Sequence, residues 1–503
     1  MKALFRHVMI AAGAALAGAL PGTASAQVLE AAVEQSPAGL DPHIITAFAS
    51  FQLVNGTIYE GLTAIDKDLR VVPALASSWT VSADGKTYTF RLVPDATFHD
   101  GKPVEAADVE ASLNRVLAKE IGSPLASRLA ALDKVLAKDS GTVEVTLKEP
   151  SAPFLTALAS IAIVPRAFEK DKDSLQRAPV GTGPFRFKEW QPNGFIALER
   201  HAGYWNKGQP KLAGVKFSII PESATRQVGI SSGQYAMLPN IDPATALQVR
   251  GAPGVKLAET LELAYTLVGM NTSKPPFDNP KVREALNYAL NRDEIVAASL
   301  FGAGVPGGPL SPALKDWALD VKEFPCFTPS AAKAQSLLKE AGVATPVPVT
   351  LLVLPRQDIR DIAQVVQAQA NKAGFKVELK IPELGQFVQD WRNSNFDAFV
   401  STNAGSTDPD DYFYRTFRSG GSTNVFKYAN PKLDALLDDG RKELDPAKRK
   451  AIYAEAQKVL ACDGPAAFMT YGQLFTATRA NVQGFDIMAN RSLGSLATTT
   501  LGQ

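Results

Sequence analysis

Residue types able to do chemistry recur along the 503-residue sequence, and their surroundings decide which of them count. Gly229-Ile230-Ser231-Ser232-Gly233 has the G-x-S-x-G spacing of a serine nucleophile, which requires a strand before the serine and a helix after it. The pattern predicts the reverse, a helix over 222–232 that Gly233 terminates. Gly302 to Gly307 match G-x-G-x-x-G, yet they follow a helical pattern and carry Pro306 where a helix should begin. Asp84-Gly85-Lys86-Thr87 ends like a phosphate loop but lacks the upstream glycine. Past residue 26 only His43, His99 and His201 remain, far apart and without metal-ligand spacing, so neither a metal nor a cofactor is expected. An exported hydrolase using Ser231 or a carboxylate pair stands as the competing function class.

The donors and acceptors of residues 402–411, TNAGSTDPDD, make a different kind of site. They follow a short strand pattern over 397–401, and in open α/β lobes ligands sit just outside strand ends. Arg356 likewise follows a strand pattern ending at Leu354, and Thr46 and Phe48 follow the turn Leu40-Asp41-Pro42. Each has a plainer alternative: Phe48 as core, Arg356 as a solvated loop residue, Asp408 and Asp410 as caps of the aromatic segment 412–417.

The elements that would hold these residues alternate. Strand patterns over 28–34, 185–190, 195–200 and 215–220 lie in the first half, with a helix-like run over 48–59. Residues 79–92, 106–117 and 142–147 read as a hairpin, a helix and a strand, a small α+β unit. The second half alternates helices over 329–341 and 359–373 with strands over 348–354 and 376–381, as an α/β lobe should. Between the halves, 263–270 is an apolar strand, 273–280 carry three prolines, and Asn279 and Pro280 open an amphipathic helix to Leu290. Asp445 and Pro446 open another helix to Leu460.

Residues 1–26 set Lys2 and Arg6 before a short apolar region and close on Ala24-Ser25-Ala26, a secretory signal cleaved after Ala26. Without Lys2 and Arg6 the 52 basic residues become 50 against 51 acidic ones. That balance argues against nucleic acid or an anionic membrane as partner. In an exported protein Cys326 and Cys462 form either a disulfide or two buried thiols.

Six runs stand in order along the chain: LASSW at 75–79, DGKTYTFRLVPDATFHDGKPVEAADV at 84–109, GTGPF at 181–185, Tyr204-Trp205, PPFDNPKVREALNYA at 275–289 and YANPKLDALL at 428–437. Together they resemble the extracytoplasmic solute-binding proteins of the dipeptide, oligopeptide and nickel family of ABC importers. The resemblance implies an α/β, two-lobed periplasmic-binding-protein fold (type II, cluster C-like) whose lobes close on the ligand by hinge bending. Lobe I is then 27–270, with an α+β subdomain inserted at about 70–175, lobe II is 271–480, and 481–503 return to lobe I. Met270, Asn271 and Thr272 form the hinge, with Asn271 satisfying backbone groups there. The implied partners are a small solute and an inner-membrane permease, with the receptor a periplasmic monomer that needs no cofactor.

In peptide-binding members the loop resembles Gly-Trp-x-x-Asp-x-x-Asp-Pro, and its first aspartate holds the α-ammonium group. Alignment on Asp408-Pro409 puts Thr402 at the tryptophan and Gly405 at that aspartate. A free peptide amine would then lack its counter-charge unless Asp408 or Asp410 supplies it. The ligand-site expectation is therefore Thr46, Phe48, Arg356, Thr402, Asn403, Gly405, Ser406 and Asp408.

Overall fold

The structure, a computed structural model, describes residues 27–502; the leader and its cleavage point lie outside the described residues. A twelve-stranded sheet runs through both halves of the chain, organised on the 14-residue strand Ala466–Arg479. Its first part pairs with Tyr265–Met270, and its second part with Met237–Ile241 and Val255–Leu261, all antiparallel. Beyond Met237–Ile241 the sheet continues through Val28–Val33 and Gly214–Ile219 to the hairpin Phe195–Arg200 and Phe185–Gln191. On the other side of Tyr265–Met270 lie Ala398–Asn403, Val347–Val353 and Phe375–Lys380, the last two pairings parallel. Parallel strands are covered on both faces, which is why Leu351, Leu352 and Val353 form a continuous buried run.

The helices beside these strands begin where local chemistry says they should. Asn279 accepts from the Lys281 amide to cap Pro280–Ala289, and Asp445 accepts from the Ala447 and Lys448 amides to cap Pro446–Ala461. The helix Gln357–Lys372 turns Ile359, Ile362, Ala363, Val366 and Ala370 into the second-half core. Cys326 and Cys462 are bonded, with Cα atoms 5.6 Å apart. The run over 48–59 forms a helix only from Phe48 to Val54, because Gly56 turns the chain at φ 76°.

The strand pairing bears on the hinge expected at Met270, Asn271 and Thr272. The chain passes between the halves at residues 262–264, where Val255–Leu261 ends and Tyr265–Met270 begins, and again along the middle of Ala466–Arg479. Met270, Asn271 and Thr272 lie at the far end of the strand, inside the second half. Met270 is fully buried there, and the Asn271 amide donates to the Ser394 and Phe396 carbonyls at 2.9 and 3.3 Å. The apolar strand pairs along its whole length with Ala398–Asn403 of the second half.

The inserted unit is a four-stranded antiparallel sheet, in order Ala76–Val81, Thr87–Leu92, Thr142–Leu147 and Leu132–Asp139, packed on the helix Ala106–Leu117. Arg115 from that helix makes a fully buried bidentate pair with Asp41 at 3.0 and 2.5 Å and also bonds the Phe168 and Asp171 carbonyls. Breaking such a pair leaves an uncompensated buried charge, so the unit is fixed firmly to the first half.

His43 sits beside that pair, fully buried. Its Nε2 donates to the Ala162 carbonyl at 2.8 Å, while Nδ1 has no partner among the described residues. Burial holds its pKa down to about 4, so the ring is neutral in the fold. A depressed histidine contributes stability that is complete above its ordinary value of 6.5 and is lost as pH falls towards 4. Urea midpoints measured between neutral and acid pH should therefore fall, with about 3 kcal/mol of the loss absent from His43→Gln; an unchanged acid limb in that variant refutes the assignment. His99 and His201, distant in sequence, meet edge to face at 4.9 Å and share the Gly183 carbonyl. Among the described residues no three metal-ligating side chains gather.

Candidate ligand-binding cleft

A cavity of about 780 Å³ opens where the two halves face each other. Its walls come from residues 45–55, Ile65, the inserted unit, the crossing 262–264, Arg356, residues 402–407 and residues 489–492. A larger groove of about 940 Å³, beside Pro275, Pro276 and Pro348, is lined by the second half alone, so movement of the halves cannot enclose a solute in it.

Of the residues expected at the ligand, Thr46, Arg356, Thr402, Asn403, Gly405 and Ser406 all line this cleft. Phe48 opens its helix, and its side chain lies outside the described part of the structure. Asp408 is placed elsewhere. It is buried, caps the helix Pro409–Phe417 through the Asp410 amide at 2.8 Å, and makes a bidentate pair with Arg449 at 2.7 and 2.9 Å. The Asp410 amide and the Arg449 guanidinium hold that carboxylate, and it does not line the cleft. Asp410 is committed as well, to Arg441 at 2.7 and 3.1 Å; burial raises its carboxyl pKa despite that guanidinium.

Gly405 is a glycine for a steric reason. A Cβ there would overlap the Leu263 carbonyl and the Tyr412 hydroxyl. Tyr412 donates to that carbonyl at 2.6 Å, so the loop lies directly on the crossing segment. Asn403, at the start of the loop, donates to the Tyr265 hydroxyl at 2.9 Å. Burial pushes the Tyr265 pKa up to about 12, leaving a neutral phenol.

Three charged residues of the cleft escape sequence reasoning: Arg128, Glu262 and Arg491. Arg128 stands on a short 3₁₀ turn of the inserted unit and bonds the Ser160 hydroxyl at 3.1 Å, with Asp411 at 3.8 Å. Glu262 and Arg491 pair with each other, joining the crossing to the C-terminal segment. Arg356 is held by Asp358 at 2.6 and 2.7 Å. Three guanidinium groups and one carboxylate thus face the cavity, while Asp358 and Asp411 stand outside its lining. Ser231 lies exposed on the last turn of the helix Ser223–Ser232, with no strand leading into it.

Residues 70–425 match the family described as bacterial extracellular solute-binding proteins, family 5. The glutathione-binding protein GsiB of Pectobacterium atrosepticum is 30% identical over 498 residues, covering 96% of each chain. Among solved structures, the oligopeptide-binding protein AppA of Bacillus subtilis in complex with a nonapeptide is 28% identical, with a TM-score of 0.79, covering 95% of this chain and all of that one. The binding protein AgaA of A. tumefaciens R10 in complex with agropinic acid is 27% identical, with a TM-score of 0.77, over 95% of this chain and 99% of that one.

Proposed function

This chain belongs to family 5 of the bacterial extracellular solute-binding proteins, the solute receptors of ABC importers, and from that premise we propose that its ligand is a small organic anion of peptide-like size. The carrying observation is the balance of the cleft wall, three guanidinium groups from three separate stretches of chain against one carboxylate. Guanidinium forks match carboxylates in shape as well as charge. The volume of about 780 Å³ is in the range of small-molecule sites. Glutathione, named for the GsiB relatives, and agropinic acid, named for AgaA, are both acidic solutes of this size, which supports the reading. Gly405, where peptide-binding relatives carry an aspartate, takes away the counter-charge those relatives supply, so the α-ammonium group of a solute such as glutathione would be met by Glu262 or by the solute's own carboxylate.

In this reading Thr46, Arg128, Arg356, Thr402, Asn403, Ser406 and Arg491 contact the solute. The lobes are 27–262 with 473–502, and 263–472, bending at 262–264 and 471–473. A ligand touching both lobes favours closure by the difference of its affinity for the two states. The receptor acts as a monomer in the periplasm after cleavage behind Ala26.

Thermal unfolding and calorimetric titration with glutathione, its N-acetylated and fully esterified form and a neutral tripeptide amide test the ligand class. The acidic solute should stabilise the receptor by about 2.7 kcal/mol at a hundredfold excess over its dissociation constant, and the two neutral probes should not. Arg356→Gln should weaken that binding about 10- to 100-fold, as loss of a charged hydrogen bond does. Equal binding of acidic and neutral probes would sink the anion assignment.

A further inference from the structure

The inserted subdomain reaches across the mouth of the cleft and touches the opposite lobe. The Ala152 amide donates to the Arg441 carbonyl at 2.8 Å, and Lys442 pairs with Glu149 at 2.8 Å. The hairpin turn at Gly85 lies against the Leu444 side chain. All three partners on the far side belong to the helix Pro431–Lys442 or the two residues after it. That helix is braced from behind: Arg441 grips Asp410 and stacks on the Tyr414 ring, with its guanidinium carbon 3.2 Å from the ring centre. On the near side the Asp41–Arg115 pair fixes the inserted unit to its own lobe. The two lobes therefore meet through a few bonds across the cleft mouth. Neither Glu149 nor Lys442 lines the ligand cavity.

We propose that these contacts form a clasp that holds a fraction of the receptor closed without ligand, with Glu149 and Lys442 as positioning residues that set how firmly the closed cleft retains its solute. The inference rests on the two-lobed reading above but not on which solute binds. Arg128 ties the clasp to the ligand loop, because its ion-pair partner Asp411 also accepts from the Ser406 hydroxyl at 3.0 Å. Half-exposed charges of this kind are screened by salt, whereas the backbone bond and the Gly85–Leu444 contact are not. The clasp should accordingly loosen with ionic strength without disappearing.

Ser140 and Lys372 are exposed and lie on opposite lobes, and Cys326 and Cys462 are bonded to each other, so dyes on Ser140→Cys and Lys372→Cys report closure by single-molecule energy transfer. In the ligand-free full chain the wild type should show a closed fraction at low salt that shrinks at about 1 M salt, where the Debye length is ~3 Å. Glu149→Gln and Lys442→Gln should each lower the closed-to-open ratio about two- to fivefold at low salt and flatten its salt dependence, the range an exposed ion pair controls. The charge swap Glu149→Lys with Lys442→Glu should restore both. The proposal is overturned by a wild type with no closed fraction before ligand, by single variants with unchanged ratios, or by a swap no better than the singles. Failure of all acidic solutes to bind would instead strike the ligand assignment and leave the clasp standing.

Discussion

A Gly405→Asp variant, which rebuilds the aspartate that peptide-binding relatives carry, is expected to gain no affinity for free peptide amines and to lose about 3 kcal/mol or more of unfolding free energy. The loop can be aligned with its relatives, but the space cannot. The new Cβ would overlap the Leu263 carbonyl carbon and oxygen and the Tyr412 hydroxyl. Two of these are backbone atoms of the crossing segment, so relief requires the loop to lift away or the crossing to shift. Either movement breaks the bond from Tyr412 to the Leu263 carbonyl at 2.6 Å and strands a fully buried phenol without its acceptor. It also brings a carboxylate towards Glu262, a neighbour in the same wall. Gly405→Ala separates the two effects, since it adds the Cβ without the charge and should account for most of the loss. Urea unfolding of both variants, with titration of a neutral dipeptide, checks the expectation. A stable aspartate variant that binds the dipeptide through its amine would show that the loop yields and that Gly405 is a matter of specificity alone.

How much of this was readable beforehand depended on whether the cause was local. Asn279 and Asp445 could be named as caps because a cap is a bond to an amide two or three residues away. Arg356, Thr402, Asn403, Gly405 and Ser406 were readable from the rule that loops after strands face the ligand, and Thr46 from the turn Leu40-Asp41-Pro42; all of them line the cavity. The crossing was not local. An apolar strand followed by prolines looks the same whichever of its ends faces the other lobe. The answer comes from Ala466–Arg479, far along the chain, which pairs with Val255–Leu261 before the crossing and with Tyr265–Met270 after it. Arg128, Glu262 and Arg491 were invisible for a similar reason. They arrive from a 3₁₀ turn, a kink between strands and a coil near the C-terminus, none of which marks a surface as concave. The family resemblance supplied the two lobes and the inserted unit, yet the residue it suggested as a substitute anion, Asp408, is turned into the protein.

That placement leads to the other large effect. Asp408→Ala is expected to cost about 3–5 kcal/mol of unfolding free energy while leaving the folded receptor's affinity for the acidic solute proposed above within about twofold. The reason lies in what remains behind. The Arg449 side chain is only 7% exposed, bonded to the Gly440 carbonyl at 2.9 Å and set against the Trp317 and Tyr453 rings, so removal of Asp408 leaves a buried cation without its bonded counter-charge, with Asp410 nearby but committed to Arg441. The alanine also removes the helix cap, worth about 1 kcal/mol by itself. Asp408→Asn keeps a capping oxygen and loses only the charge, so the difference between the two variants isolates the cap. Adding Arg449→Met to Asp408→Asn should recover most of the loss, because a buried ion pair replaced by apolar bulk is often neutral. Urea unfolding of the three variants and calorimetric titration of each with glutathione make the comparison. If Asp408→Ala unfolds like the wild type but binds glutathione tenfold or more weakly, the carboxylate serves the solute, and the bond to Arg449 is incidental.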